Sequence, residues 1–236
     1  MNILNDKRLL LCASLIKGRV AADIGTDHGL LPAYLIKTGV CDRCIAADIN
    51  PLPLSQARKT VEEYGLEEKI TLVLSDGLKE VCLDGVSDIV IAGMGGELIS
   101  KIIDECDALK ANDNVVSLIL QPMTRPWALR EYLYNNHFEI AEEKCVREGR
   151  FIYSVIRAEY TGITPEYDLD DRYRYFGRID LSSDMGFEYA QRRTAKILAA
   201  AEGMLKSEEH RAQGEREMRT AEYLRGILMR YRKADG

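Results

Sequence analysis

From Arg19 to Tyr134 the chain alternates short β-branched or apolar runs with segments of helical periodicity, and this alternation limits the fold more than any other feature. Strands are expected at 19–24, 43–49, 70–75, 88–92 and 115–121, with helices at 28–37, 52–64, 97–109 and 127–134. Repeated strand–helix–strand units favour parallel pairing, so they predict one parallel sheet with helices packed on its faces. Thr124 is the expected N-cap of the last of these helices. An amphipathic helix over 5–16, apolar at Leu9, Leu10, Cys12, Ala13 and Ile16, should cover one edge of the sheet, with Gly18 ending it.

The rhythm then changes. Residues 138–146 and 151–160 read as two strands separated by Arg147-Glu148-Gly149-Arg150, an antiparallel hairpin at the end of the sheet. Five parallel strands closed by a hairpin give the α/β, Rossmann-like order of class I methyltransferases, a seven-stranded sheet, whereas a dehydrogenase sheet normally continues with another parallel strand. Beyond Tyr160, residues 161–171 hold Gly162, Pro165 and three aspartates and read as a linker. Two long Ala/Glu/Arg-rich segments come next, 184–206 and 208–233. One carries Ala190, Ala195, Ile197, Leu198, Ala201, Met204 and Leu205 as an apolar stripe, and the other Met218, Ala221, Leu224, Ile227, Leu228 and Tyr231. They predict an antiparallel helical hairpin with a coiled-coil seam. The expected division is therefore a sheet domain, 1–160, and a helical coiled-coil domain, 161–236.

Open parallel sheets bind ligands at the carboxyl ends of their strands. Four clusters fall there: 23–29 (DIGTDHG), 47–50 (ADIN), 75–77 (SDG) and 92–96 (AGMGG). Gly25 and Gly29 let the backbone turn tightly, but Asp27 stands where a dinucleotide fingerprint would need glycine, and its carboxylate would repel a pyrophosphate. A ligand with an ammonium and a sulfonium suits such a loop, and S-adenosylmethionine is one. Asp23, Gly25, Thr26, Asp27 and Gly29 are then donor-binding candidates. Asp48, with Ile49, is placed to accept from ribose hydroxyls, while Asp76 takes the adenine amino group and Gly77 allows close approach to the ring. Gly93 and Met94, in the glycine loop after the fourth strand, are further donor-binding candidates, on the side where a target base would lie. His28 either packs as a helix-start residue or contacts the donor carboxylate or the target base.

The stretches 22–36 (ADIGTDHGLLPAYLI), 46–60 (AADINPLPLSQARKT), 75–78 (SDGL), 88–103 (DIVIAGMGGELISKII), 118–133 (LILQPMTRPWALREYL) and 148–160 (EGRFIYSVIRAEY) closely resemble the bacterial tRNA (adenine(22)-N1)-methyltransferase family, often called TrmK. The resemblance is dense from Asp6 to Tyr160, and the helical tail matches in type. It implies a class I fold, S-adenosylmethionine as donor, N1 of adenine 22 in tRNA as acceptor, and a helical domain used with the tRNA. Asp27, His28, Met94 and Gln121 are the catalytic candidates, with Gly95, Pro122 and Arg125 beside the base. One departure stands out: Met123 follows Gln121-Pro122 where the family often has Asn, which would put an apolar wall in place of an amide.

A tRNA partner needs positive charge, yet the chain's net charge is -6. The surplus lies wholly in the first 159 residues, with 18 Lys and Arg against 24 Asp and Glu, and the rest carries 14 of each. Phosphate contacts must then come from local patches. Arg192, Arg193 and Lys196 are candidates on the first tail helix. Arg211, Arg216, Arg219, Arg225, Arg230, Arg232 and Lys233 are candidates on the second, and Arg125 and Arg130 near the active end. Six cysteines in mostly apolar runs read as reduced thiols of a cytoplasmic protein. Cys41 and Cys44 have no second pair to close a zinc site, His28, His137 and His210 are scattered, and no apolar run has the length of a membrane span. No metal or membrane is therefore expected, and no protein partner is indicated. Rival readings are an NAD-dependent dehydrogenase, opposed by Asp27 and the terminal hairpin, a noncatalytic module engaging a protein through its tail, and a methyltransferase acting on another RNA or protein nitrogen.

Overall fold

The computed structural model describes residues 3–111 and 115–234, with side chains placed through 231. Its contacts divide the chain into two units, Met1–Glu166 and Tyr167–Gly236.

The first unit is a single seven-stranded sheet. Strands β1 (Val20–Ile24), β2 (Arg43–Asp48), β3 (Ile70–Leu74), β4 (Asp88–Gly95) and β5 (Ser117–Thr124) are parallel, and β6 (Phe138–Glu148) and β7 (Phe151–Tyr160) form the antiparallel end, in the order β3-β2-β1-β4-β5-β7-β6. The seven-stranded methyltransferase topology expected from the sequence is thus present. The hairpin turn is tighter than expected, Gly149-Arg150 alone, because pairing continues out to Glu148 and Phe151.

Alternation along the central strands divides two cores. Ile89 and Ile91 of β4, Leu118 and Leu120 of β5, and Ile156 and Ala158 of β7 face helices α4 (Gly96–Asp104) and α5 (Pro126–Asn135). Val90, Ile119 and Val155 face the other way, toward α1 (Lys7–Leu15), α2 (Leu30–Lys37) and α3 (Pro51–Tyr64). Buried on both faces, these strands read as nearly unbroken apolar runs. Helix α1 covers the face over β4, β5, β7 and β6 and not merely an edge, since Cys12, Ala13, Leu15 and Ile16 bury themselves against Val90, Ile119 and Val155.

Three local expectations are corrected. Thr124 lies within β5, and α5 is opened by Arg125, whose backbone is left-handed (φ 49) with Pro126 following. The helix expected over 97–109 ends at Asp104, and a 3₁₀ turn, Asp107–Lys110, returns Leu109 to the core. Arg130, a candidate phosphate contact, is 1% exposed and forms an ion pair with Glu143 of β6, with Nη2–Oε1 at 2.7 Å and Nε–Oε1 at 3.1 Å. Ser154 of β7 accepts a further bond from Nη2 at 3.4 Å. The arginine fastens α5 to the terminal hairpin and is withdrawn from any nucleic acid.

The second unit holds α6 (Asp171–Phe176), α7 (Asp184–Met204) and α8 (Arg211–Ala234). Asp170 caps α6 through Tyr173 N–H and accepts from Tyr223 of α8, while Asp171 accepts from Thr220. Helices α7 and α8 pack on each other, with Tyr189, Ala190, Thr194, Ile197 and Ala201 buried on α7 and Ala221, Leu224, Ile227 and Leu228 buried on α8, while Gly186 lies against Ile179 and Asp180. Of the stripe expected on α7, Ala195 is exposed and Thr194 takes a buried place in its stead, its hydroxyl donating to the Ala190 carbonyl.

Glu143→Ala should strip a buried guanidinium of its counter-charge and cost roughly 3–5 kcal/mol, read as a lower urea midpoint with an unchanged slope. Joint replacement of Arg130 by Met and Glu143 by Leu should cost far less, because no charge is then left stranded.

Candidate functional site

After Ile24 the chain must reverse from β1 into α2 within five residues, and the sequence supplies left-handed backbone at Gly25 (φ 78), Asp27 (φ 50) and Gly29 (φ 68). The N–H groups of Gly25 and Thr26 both donate to the Ala47 carbonyl, at 2.8 and 3.0 Å, which ties this loop to β2. Glycine at 25 also gives room, since a Cβ there would stand 2.3 Å from Met94 Cε. Asp27 is the costly residue: a left-handed non-glycine backbone costs about 1–2 kcal/mol. Its carboxylate is 70% exposed and lies 3.6 Å from His28 Nε2. His28 is itself exposed and precedes α2, so it does not pack on the loop as a helix-start residue but shares the cavity mouth with Asp27.

Asp23, by contrast, is withdrawn from water. It is 6% exposed on the α1–α2 side of the sheet. Burial pushes its pKa from 3.8 up to about 7, and the Asp48 carboxylate pushes the same way. Thr26 lies close enough to temper the shift. Its buried hydroxyl nevertheless makes no hydrogen bond of good geometry. Charge on Asp23 also reaches the buried thiols of Cys12 on α1 and Cys44 on β2, both of which it helps keep protonated. Asp48, 8% exposed, accepts from Asn50 N–H at 2.8 Å and Asp27 N–H at 3.4 Å, so it pins the loop while keeping lone pairs for a ligand. Ile49 beside it is 57% exposed, with Leu52 and Leu74 exposed near the same strand tips.

The fourth strand reaches the same rim irregularly. Its ladder with β5 shifts register around Met94, and Gly93 (φ 80) lies in the irregular stretch. The Gly93 N–H is taken up by Gln121 Oε1 at 3.1 Å. Such irregularities re-aim a strand end beside a site. A Cβ on Gly93 would meet open space. Gln121 itself is 0% exposed, with Nε2 donating to the Pro122 carbonyl, so it works beneath the loop and does not touch a base.

A cavity of about 510 Å³ joins these pieces, lined among others by Asp23, Gly25, Thr26, Asp27, His28 and Gly93. Its remaining wall has no signal in the linear sequence. Asn5, Asp6 and Arg8, before and within the first turn of α1, line it opposite the strand tips. No motif couples α1 to residues more than a hundred positions away. Only the periodicity of α1 hints that it packs on the sheet.

Several expected site residues are used otherwise. Asp76 is exposed and paired with Lys79, which holds its pKa below the ordinary value. Gly77 (φ 63) backs onto Ile102, where a Cβ would come within 3.1 Å, so packing on α4 explains it. Pro122 is buried in β5. Gly95 and Gly96 abut Thr124 and Arg125, where a Cβ on Gly96 would stand 2.4 Å from the Arg125 carbonyl oxygen. Arg125 is exposed and paired with Glu97. In the helical unit Arg192 pairs with Glu188 at 2.7 Å and the Arg193 guanidinium lies over the Tyr189 ring at 5.3 Å, while Lys196, Arg211, Arg216, Arg219, Arg225 and Arg230 are exposed. The side chains of Arg232 and Lys233 lie outside the described residues.

The donor set fits S-adenosylmethionine on physical grounds. An unsatisfied buried hydroxyl at Thr26, a desolvated carboxylate at Asp23 and a glycine face open at Gly93 leave polar groups and space that a cationic amino-acid portion would satisfy. Among the described residues no cluster of His, Cys, Asp or Glu is arranged to hold a metal, and no helix is long and apolar enough to cross a membrane.

Known proteins share both the sequence and the architecture. Residues 5–156 match a family described as a methyltransferase domain. The tRNA (adenine(22)-N(1))-methyltransferase of Bacillus subtilis is 38% identical over 166 residues, 69% of this chain and 68% of that one. A structure from Streptococcus pneumoniae, of a putative tRNA (m1A22) methyltransferase in complex with S-adenosyl-L-methionine, is 33% identical. It covers 94% of this chain and 99% of its own, with a TM-score of 0.76. The crystal structure of the Bacillus subtilis enzyme is similar over 94% of this chain and 99% of its own, at 26% identity and a TM-score of 0.77.

The raised pKa of Asp23 makes a signed prediction. The folded chain keeps a proton there between about pH 4 and 7 that the unfolded chain has released, so this stabilisation is full at low pH and is lost as pH rises through about 7. A cationic ligand requires the ionised form. Affinity for S-adenosylmethionine should therefore rise between pH 6 and 8, with proton release measurable by calorimetry in buffers of different ionisation enthalpy. Asp23→Asn should bind more weakly and lose that part of the pH dependence.

Proposed function

The chain belongs to the tRNA (adenine(22)-N(1))-methyltransferase family, and from that premise we propose that it transfers a methyl group from S-adenosylmethionine to N1 of adenine 22 of tRNA, at the rim where β1, β2 and β4 end. The observation that carries the site assignment is the cavity that brings the buried Asp23 and the loop 25–29 to the same space as Gly93. Asp23 and Asp27 supply negative charge for the ammonium, and the Thr26 hydroxyl gains a partner. Asp48 accepts from the ribose, and exposed Ile49 offers an apolar surface to the adenine ring.

When bound, the donor supplies an electrophilic methyl carbon whose bond to sulfur breaks with the electron pair, leaving a neutral thioether. The residues of the chain have a modest chemical task. N1 of adenine already carries a lone pair at neutral pH, so no side chain must remove a proton before attack. The Gly93-Met94 loop and the Asp27–His28 pair hold the base edge in line with the reacting carbon, and such alignment removes much of the barrier. Positive charge appears on the purine as the bond forms, and the exposed Asp27 carboxylate is placed to offset it.

Adenine inside a folded tRNA is stacked, so the base must be splayed out to reach this rim. The exposed cations of the helical unit, Lys196, Arg211, Arg216 and Arg219 among them, are the proposed phosphate contacts.

Unmodified tRNA transcripts treated with labelled donor should gain one methyl at N1 of adenine 22, seen as a primer-extension stop there and lost when that adenine is replaced. Modification of another nucleotide, or of protein only, would overturn the assignment. Asp48→Ala should weaken donor binding about tenfold or more, the loss expected when a charged hydrogen-bond acceptor is removed. Lys196→Glu combined with Arg219→Glu should raise the KM for tRNA and flatten its salt dependence while leaving donor affinity unchanged.

A further inference from the structure

The terminal hairpin is longer than closing the sheet requires. Strand β7 pairs with β5 only from Glu159 to Ile156, but with β6 all the way out to Phe151. Because β7 runs antiparallel to β5, residues 151–155 lie toward the carboxyl end of β5, at the rim where the cavity lies. There the two strands continue as a ribbon of their own. Its turn has left-handed backbone at the first residue, Gly149 (φ 56), a conformation that suits the twist of paired strands. Glu148 at this tip accepts the Lys7 N–H at 2.9 Å, which fastens the ribbon to the start of α1.

One face of the ribbon carries a row of flat groups. Phe151 and Tyr153, two positions apart on β7, point to the same side, and their ring centroids are 6.0 Å apart. The Arg150 guanidinium lies over the Phe151 ring at 4.8 Å, and the Arg8 guanidinium lies over the Tyr153 ring at 5.5 Å. Arg8 is held by Asp6 Oδ1 at 3.2 Å and by Gln121 Oε1 at 3.1 Å, and it lines the cavity. The row thus runs cation, ring, ring, cation from the cavity wall to the end of the hairpin. Its inner end is built into the fold. Its outer end is not covered, since Phe151 remains 43% exposed.

Such a surface fits one chemistry best. Aromatic rings and guanidinium planes both stack nucleobases, and a guanidinium also answers the phosphate attached to one. An apolar peptide would meet Arg150 where it needs apolar cover. A splayed adenine, moreover, leaves the face of its neighbour without a stacking partner, and the row begins at the wall of the cavity. We propose that the hairpin tip, through Phe151 and Arg150, stacks the nucleobase adjoining the target adenine and so holds the tRNA strand open while the adenine is in place. The inference rests on the adenine-N1 reading above and adds a substrate-positioning surface within the sheet unit.

Methylation kinetics of the full chain on intact, unmodified tRNA test it, together with tRNA assembled from synthetic halves that carries an abasic sugar on one or the other side of adenine 22. Phe151→Ala should lower kcat/KM for intact tRNA roughly tenfold, the usual loss when a stacking ring is removed, with affinity for S-adenosylmethionine unchanged. Phe151→Trp, which keeps a stacking face, should retain wild-type activity, whereas Phe151→Leu, which keeps only the apolar cover, should resemble Phe151→Ala. For the wild-type protein one of the two abasic tRNAs should be a roughly tenfold poorer substrate, and Phe151→Ala should show little further loss on that tRNA. Full activity of Phe151→Leu overturns the proposal, as does an abasic penalty that is undiminished in Phe151→Ala. Failure of the wild-type protein to methylate adenine 22 of intact tRNA would instead remove the reading above, and the inference with it.

Discussion

A carboxylate held out of water at the tip of β1 sets the terms for the rest of the site. Asp23 cannot ionise cheaply where it lies, because burial and the nearby Asp48 charge both oppose it. That cost is stored until a cation arrives to offset it. The surroundings preserve the condition: Cys12 of α1 closes one side, β2 presents Cys44 and Asp48, and the loop 25–29 folds over with its N–H groups on Ala47. A pyrophosphate placed here would meet charge of its own sign. A dinucleotide loop favours an anion where this one opposes it.

Much of this is legible in the sequence because it is encoded locally. β-branched runs with helical intervals dictate the parallel order, and the acids stand directly after strands, so Asp23 and Asp48 can be placed at the rim without coordinates. Local patterns mislead where one residue type serves two purposes. Gly77, Gly95 and Gly96 look like ligand-facing glycines, but their missing Cβ atoms make room for Ile102, Thr124 and Arg125. Arg130 has the spacing of an exposed helix cation, and only the fold puts Glu143 opposite it.

Contacts between distant segments are the part a linear pattern does not carry. Asp6 and Arg8 belong to a helix whose periodicity announces packing, not binding. Their approach to Gln121 depends on how α1 lies across β4, β5 and β7. Gln121 is the instructive case. Its place after an apolar strand suggests direct chemistry, and its complete burial gives it the task of holding the residues that perform it.

The hairpin that closes the sheet has a bearing on how copies of the protein meet. Strand β6 lies at the border of the sheet, and a border strand offers unpaired backbone groups to any other strand that approaches. Along it run Glu139, Glu142, Lys144, Arg147 and Glu148, interrupted by a shift in register between Ile140 and Glu142. Charge on the rim and a kink in the ladder make lateral addition of a second sheet unfavourable. The strand that completes the domain also discourages pairing through its own open edge.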